Sequence, residues 1–130
     1  MTNYQSVRDI MMADFLKIEG ITKVSDALAM MNEKNLNAVL IIPRSELDVY
    51  GIMTRRDIAR KVIGNRRRLH ETHVYEIMTK PVLSVPPNMP IPYAARHLTN
   101  FQVSYATVLE NDAVIGMISL NGIVQHWDRG

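Results

Sequence analysis

The sequence predicts an α/β fold made of two tandem, pseudo-symmetric β-α-β-β-α units, each with a small mixed sheet. Three observations carry this. Val7-Arg8-Asp9-Ile10-Met11-Met12 returns as Val74-Tyr75-Glu76-Ile77-Met78-Thr79, an offset of 67, and Gly51-Ile52-Met53-Thr54 returns as Gly116-Met117-Ile118-Ser119, an offset of 65. Between those ends, Val24, Ala27, Leu28 and Met31 keep helical spacing and reappear as Ile91, Ala94, Ala95 and Leu98. Each half is too short to bury much apolar surface alone, so the two should form one integrated module, and neither should fold well by itself. The expected division is 1–64 for the first repeat, 65–73 for a linker and 74–130 for the second repeat.

Element by element, a short helix near 7–11 leads to an apolar stretch at 15–18 and a helix over 23–34. The run Ala38-Val39-Leu40-Ile41-Ile42 reads as a buried strand, because continuous apolar runs of this length mark strands covered on both faces. A turn over 43–48 precedes a strand over 49–53 and a helix over 55–63, closed by Gly64 in the manner of a glycine cap. Residues 65–73 are polar, basic and aperiodic, and read as a solvated linker. The second unit follows the same order, with strands at 82–85, 105–109 and 114–118 and helices at 91–100 and 120–127. Asn111-Asp112 supplies a hairpin turn. A strand, a crossover helix and another strand in each unit imply mixed sheets with helices on one face.

Composition narrows the function classes. The chain has 130 residues, 47% of them apolar, enough for one core. No run of about 18 apolar residues could span a bilayer, and residues 1–5 lack the pattern of a signal peptide, so the expected compartment is the cytoplasm with no membrane partner. With no cysteine there is no disulfide and no thiol chemistry. The net charge of +2 is mild, and Arg66-Arg67-Arg68 stands without interleaved aromatics, of which the chain has one Trp, five Tyr and two Phe. Catalysis has little to stand on: nucleophile elbow, paired carboxylates and glycine-rich phosphate loop are all missing. His70 and His73 have no third ligand at helical spacing and read as linker residues, while His97 and His126 read as partly buried or rim residues; no metal is expected.

One segment is suited to a phosphorylated ligand. Gly51-Ile52-Met53-Thr54-Arg55-Arg56-Asp57 joins a strand to a helix. Gly51 permits another chain or a ligand to approach the backbone, and Thr54 at the N-cap can cap the helix or bond a phosphate. Arg56 adds a charge beside the partial positive helix end. Asp57 would repel phosphate, yet its two oxygens can accept from the vicinal hydroxyls of a ribose. The same spacing from Thr54 to Asp57 is also that of a capping box, in which the acid reaches back to the N-cap amide. Both readings stay open here.

This pattern resembles the CBS domain pair over about 7–127. Asp9-Ile10-Met11 and Glu76-Ile77-Met78-Thr79-Lys80-Pro81 open the two units, and 51–57 and 116–122 close them. The resemblance implies a regulatory module that binds an adenosine-containing ligand in clefts between the repeats: AMP, ADP or ATP, with S-adenosylmethionine ranked behind them. It assigns Ile52, Thr54, Arg56 and Asp57 to one site together with Thr79, Pro81, Leu83, Val103, Ser104 and Tyr105. A second, weaker site would use Met12, Asp14, Leu16, Leu36, Asn37, Ala38, Ser119 and Asn121. There the chain departs from the family, because Gly122 stands where the aspartate belongs. One competent site and one weak or empty one are expected.

The resemblance further implies a homodimer through helices, with Met30, Met31, Ile123 and Trp127 as candidates for its face; the chain holds no effector domain, so a separate effector protein is expected to read the sensor's surface. The alternatives are a ligand-free dimerisation module, in which Tyr105 fills the adenine pocket, and nucleic-acid binding through Arg55, Arg56, Arg60, Lys61 and 66–68, which ranks last.

Overall fold

The computed structural model describes residues 5–127, so residues 1–4, which enter the reading on a leader, lie outside the described residues. Two compact units are present. One runs from Phe15 to Val82; the other joins the segment ending at Asp14 to the stretch beginning at Leu83. They are called the first and second unit below. The units differ from the sequence repeats in one respect: each repeat's opening segment belongs to the other repeat's unit. An offset between similar strings reports a duplication, and it carries no information on which copy the opening turn packs against.

In the first unit, β1 (Lys17–Ile18) pairs parallel with β2 (Ala38–Ile41) after a crossover through α2 (Val24–Lys34). β2 pairs antiparallel with β3 (Gly51–Thr54), with Ala38 opposite Thr54 and Ile41 opposite Gly51. Val24, Ala27 and Met31 of the α2 stripe bury against Val39, Ile41 and Met53, and Val74 and Ile77 of the opening segment complete this core. Met31 is fully buried here, so the expectation that it lies on a dimer face is corrected: the helical stripe that made it conspicuous points it at the sheet.

The second unit repeats this plan. β4 (Ser84–Val85) pairs parallel with β5 (Tyr105–Glu110), and β5 pairs antiparallel with β6 (Ala113–Ser119), Tyr105 facing Ser119 and Val108 facing Gly116. α4 (Ile91–Asn100) buries Ile91, Ala94 and Leu98. α5 (Leu120–His126) contributes Ile123 to this core at 5% exposure. Val7 of α1 (Val7–Ile10) is fully buried in this core, and Arg8 pairs with Glu110 of the hairpin. Of the two histidines read as partly buried or rim residues, His97 is half-buried against Phe101, whereas His126 is exposed.

Two further expectations need correction. The helix predicted over 55–63 is a single turn, α3 (Arg55–Asp57), continued as a π-helix over Ile58–Ile63. Gly64 therefore does not take the left-handed conformation of a glycine cap; its φ is −63°, and a Cβ there would lie 2.8 Å from the Arg60 carbonyl oxygen, so the wide final turn has room only for hydrogen. Residues 65–73 are mostly exposed, but the segment is anchored at two points. Thr72 is buried with its hydroxyl donating to the Arg68 carbonyl at 2.9 Å, Val24 N–H donates to the Thr72 carbonyl, and Leu69 packs on the core. These anchors are irregularly spaced, which is why no period revealed them.

Candidate functional site

The strand–helix junction at Thr54 is shaped by reciprocal capping. Thr54 Oγ1 accepts the Asp57 N–H at 3.1 Å, and Asp57 Oδ2 accepts the Thr54 N–H at 2.9 Å and its hydroxyl at 3.1 Å. The capping reading of Thr54-x-x-Asp57 is thus realised. It leaves Asp57 Oδ1 with one neighbour, Lys61 Nζ at 3.7 Å, while that ammonium donates to the Ile77 carbonyl at 2.9 Å. A carboxylate with one oxygen spent on the helix and the other oriented by the same cap is a pre-positioned acceptor. Arg56 is exposed and forms no hydrogen bond or ion pair among the described residues.

Ile52 and Thr79 exchange backbone hydrogen bonds at 2.9 Å in both directions, which brings two expected site residues together. Ile52 is buried, and Thr79 takes up both of its backbone polar groups. The segment 78–80 sits over Gly51: a Cβ there would lie 3.0 Å from Met78 Sδ and 3.3 Å from the Thr79 carbonyl oxygen. Gly51 is small for the chain's own sake, and the close approach expected for a chain or a ligand is made by residues 78–80. Pro81, after a cis Lys80–Pro81 peptide, is exposed.

Ile52, Thr54, Arg56, Asp57, Thr79 and Pro81 lie in the first unit, whereas Leu83, Val103, Ser104 and Tyr105 lie in the second. Val103 N–H donates to the Leu98 carbonyl, and the Ser104 carbonyl accepts from Leu120 N–H at 2.9 Å, leaving the Ser104 hydroxyl unengaged among the described residues. Tyr105 is half-buried, and burial raises the pKa of its phenol.

The residues assigned to the weaker site are divided in the same way. Met12, Asp14, Ser119 and Asn121 belong to the second unit; Leu16, Leu36, Asn37 and Ala38 to the first. Met12 exchanges backbone bonds with Met117, as Thr79 does with Ile52. Ser119 Oγ accepts the Gly122 N–H at 2.9 Å, but Gly122 has no carboxylate to return the bond. A further feature escaped the sequence reading: Arg55 Nε donates to the Leu36 carbonyl at 3.0 Å and to Asn37 Oδ1 at 3.1 Å. At the repeat-related position Leu120 has no such donor. Of the other basic residues considered for nucleic acid, Arg67 pairs with Glu76 and Arg68 with Glu71, which lowers the charge open to a phosphate backbone.

A repeated β-α-β-β-α unit with a capped Gly-x-x-Thr/Ser junction in each copy defines a tandem α/β pair. The family model for the CBS domain matches residues 7–64 and again 74–128, and the chain belongs to that family. It is 30% identical over 105 residues to the mitochondrial CBS domain-containing protein CBSX3 of Arabidopsis thaliana, with 78% of this chain aligned; it spans about half, 51%, of that relative's length. Among solved structures, the hexameric CBS-CP12 protein from bloom-forming cyanobacteria superposes with a TM-score of 0.93 at 33% identity, covering 98% of this chain and 75% of the other. The CBS domain pair of protein MJ0100, solved with 5-methylthioadenosine and S-adenosyl-L-methionine, shares the fold at a TM-score of 0.79 and 22% identity, with 94% of each chain covered. No helix among the described residues is long and apolar enough to cross a membrane.

Proposed function

We propose that this chain is a non-catalytic sensor of an adenine nucleotide, AMP, ADP or ATP, acting in the cytoplasm on a separate effector protein. The observation that carries the reading is the Thr54–Asp57 junction. Its cap fixes the Asp57 carboxylate for a ribose and leaves Arg56 free for phosphate, while Ile52, Thr79, Pro81, Leu83, Val103, Ser104 and Tyr105 supply the apolar surface and backbone groups for the base. The second set, containing Ser119 and Asn121, is empty or weak, since Gly122 offers no acceptor and Arg55 holds Leu36 and Asn37. S-adenosylmethionine ranks behind the nucleotides because Arg56 favours an anionic tail. The ligand's influence on any effector is limited to its preference for one arrangement of the protein over another.

Calorimetric titration of the purified protein with AMP tests this. About one saturable equivalent per chain is expected, and Asp57→Ala should weaken it by roughly ten- to a hundredfold, the loss of a charge-assisted bond of about 1.5–3 kcal/mol. A folded protein that takes up neither AMP, ADP nor ATP would end the proposal. The reading that would replace it is a ligand-free dimerisation module, favoured by a groove of about 430 Å³ lined by Ile91, Pro92, Ala95, Ile123, Val124 and Trp127, with Val124 largely exposed. Self-association through this α4–α5 surface is part of both readings, and sedimentation equilibrium at micromolar concentration tests it directly.

A further inference from the structure

The two hairpins end differently. In the second unit the β5–β6 ladder runs on through Leu109–Val114 and Glu110–Ala113 to a two-residue turn, in which Asn111 and Asp112 both have positive φ. In the first unit β2–β3 pairing stops at Ile41–Gly51; Ile42 N–H still donates to the Ile18 carbonyl at 2.9 Å, and the residues after it form a longer connecting loop. Asp48 holds this loop: Oδ2 accepts the Arg44 N–H at 2.9 Å, and Oδ1 accepts from Lys80 Nζ at 2.7 Å. These bonds hold the Asp48 carboxyl well below its usual range, so the clasp is fully formed at neutral pH.

The longer loop borders a cavity of about 600 Å³, a volume at which small organic ligands are usually bound. Ile41, Ile42, Val49 and Met78 line it, and the rim carries Ile21 and Tyr75, which are 69% and 52% exposed. Four charged side chains border it: Glu19, Arg44, Asp48 and Lys80. Asp48 and Lys80 are committed to each other. The Arg44 side chain touches Asp48 only through Nε at 3.5 Å and is 81% exposed, so most of its guanidinium donors are open. Glu19 is exposed, and its carboxylate forms no hydrogen bond or ion pair among the described residues. The mouth of an apolar cavity thus offers one free cation and one free anion.

We propose that this cavity binds an apolar α-amino acid, with its carboxylate on Arg44, its ammonium on Glu19 and its side chain against Ile41, Ile42, Val49 and Met78. A nucleotide fits poorly, because Asp48 and Glu19 oppose a second negative charge. The cavity lies at the Ile41–Gly51 end of the sheet, and Thr54 and Asp57 at the Ala38–Thr54 end, so the two proposals rest on different charged groups, with Met78 and Lys80 of the cavity next in sequence to Thr79 and Pro81.

Titration calorimetry of the full chain with L-leucine and L-phenylalanine, beside N-acetyl-L-leucine and L-leucinamide, tests it. Saturable binding of at least one free amino acid is expected, with the two blocked compounds at least about tenfold weaker, because each lacks one of the two charges. Arg44→Ala and Glu19→Gln should each weaken binding by about tenfold or more while the thermal transition stays in place, both side chains being exposed. Absence of saturable heat with either amino acid up to about 10 mM overturns the proposal. Equal binding of the blocked compounds, or unchanged affinity in both variants, also overturns it. AMP titrated in parallel separates this outcome from failure of the nucleotide site.

Discussion

The two strand–helix junctions share a backbone and differ in chemistry. Thr54 and Ser119 both accept the N–H three residues on, at 3.1 and 2.9 Å, and the residues after them both donate to the carbonyl that opens the middle strand, Asn37 and Ser104. Yet Asp57 completes a reciprocal cap where Gly122 completes none, and the Arg55 side chain bonds Leu36 and Asn37 where the Leu120 side chain has no donor. One junction carries a carboxylate and, among the described residues, an unpaired guanidinium, Asp57 and Arg56, where the other carries Gly122 and Asn121. Backbone geometry is thus shared by the two junctions, and their side chains differ in the capping and charge they supply.

The largest effect that distinguishes the copies should come from the glycines that open β3 and the matching part of β6. A Cβ at Gly116 would meet Met11 Sδ at 2.8 Å and the Met12 carbonyl oxygen at 3.0 Å; at Gly51 the nearest atoms are Met78 Sδ at 3.0 Å and the Thr79 carbonyl oxygen at 3.3 Å. A thioether can swing aside, but a carbonyl held in a paired bridge cannot. Gly116→Ala should therefore cost about 2–3 kcal/mol and Gly51→Ala about 1 kcal/mol, read from urea unfolding. The reverse order would mean that the first unit's opening segment is the more rigid clamp.

Next in size is a repair of the weaker junction. Around Gly122 only Ser119 Oγ, at 3.1 Å, would touch a new Cβ, so an aspartate fits and can take the Ser119 N–H as Asp57 takes that of Thr54. Gly122→Asp should stabilise the protein by about 0.5–1 kcal/mol, a rise of roughly 2–4 °C in the thermal midpoint. Under the proposed assignment it adds no second AMP equivalent until Arg55→Leu also frees Leu36 and Asn37. A second equivalent in the single variant would show that the Arg55 contacts are incidental.

Much of this was legible from residue patterns, and what was not follows a physical rule. The helix at 91–100 and the turn at Asn111-Asp112 were read to the residue because periodicity and turn chemistry are local. Thr54-x-x-Asp57 likewise spelled its own cap. The exchange of opening segments, the burial of Thr72 and the Arg55 bridge depend on residues distant along the chain, and no window of sequence contains them. The π-helix after Asp57 is a matter of register, invisible to a pattern in which Ile58 and Val62 suit an α-helix as well.

Acid gives the smallest and most regional difference. Among the described residues two carboxylates have lowered pKa values and both lie in the first unit: Asp48, held by the Arg44 N–H and then by Lys80, and Glu76, held by the His73 N–H and then by Arg67. A carboxylate whose folded pKa lies below its unfolded value, 3.8 and 4.5 for these types, gives stability that is complete above the unfolded value and disappears as pH falls towards the folded one. Lowering the pH from neutral through that range should therefore loosen the first unit before the second. Hydrogen exchange should show amides of Ala38–Ile41 and Gly51–Thr54 losing protection ahead of those of Tyr105–Glu110 and Ala113–Ser119. Asp48→Asn keeps the shape but removes the titration, so it should shrink that gap even though it weakens the clasp to Lys80. Equal loss in both sheets, unchanged by Asp48→Asn, would mean that the braces at Asp48 and Glu76 are too exposed to matter.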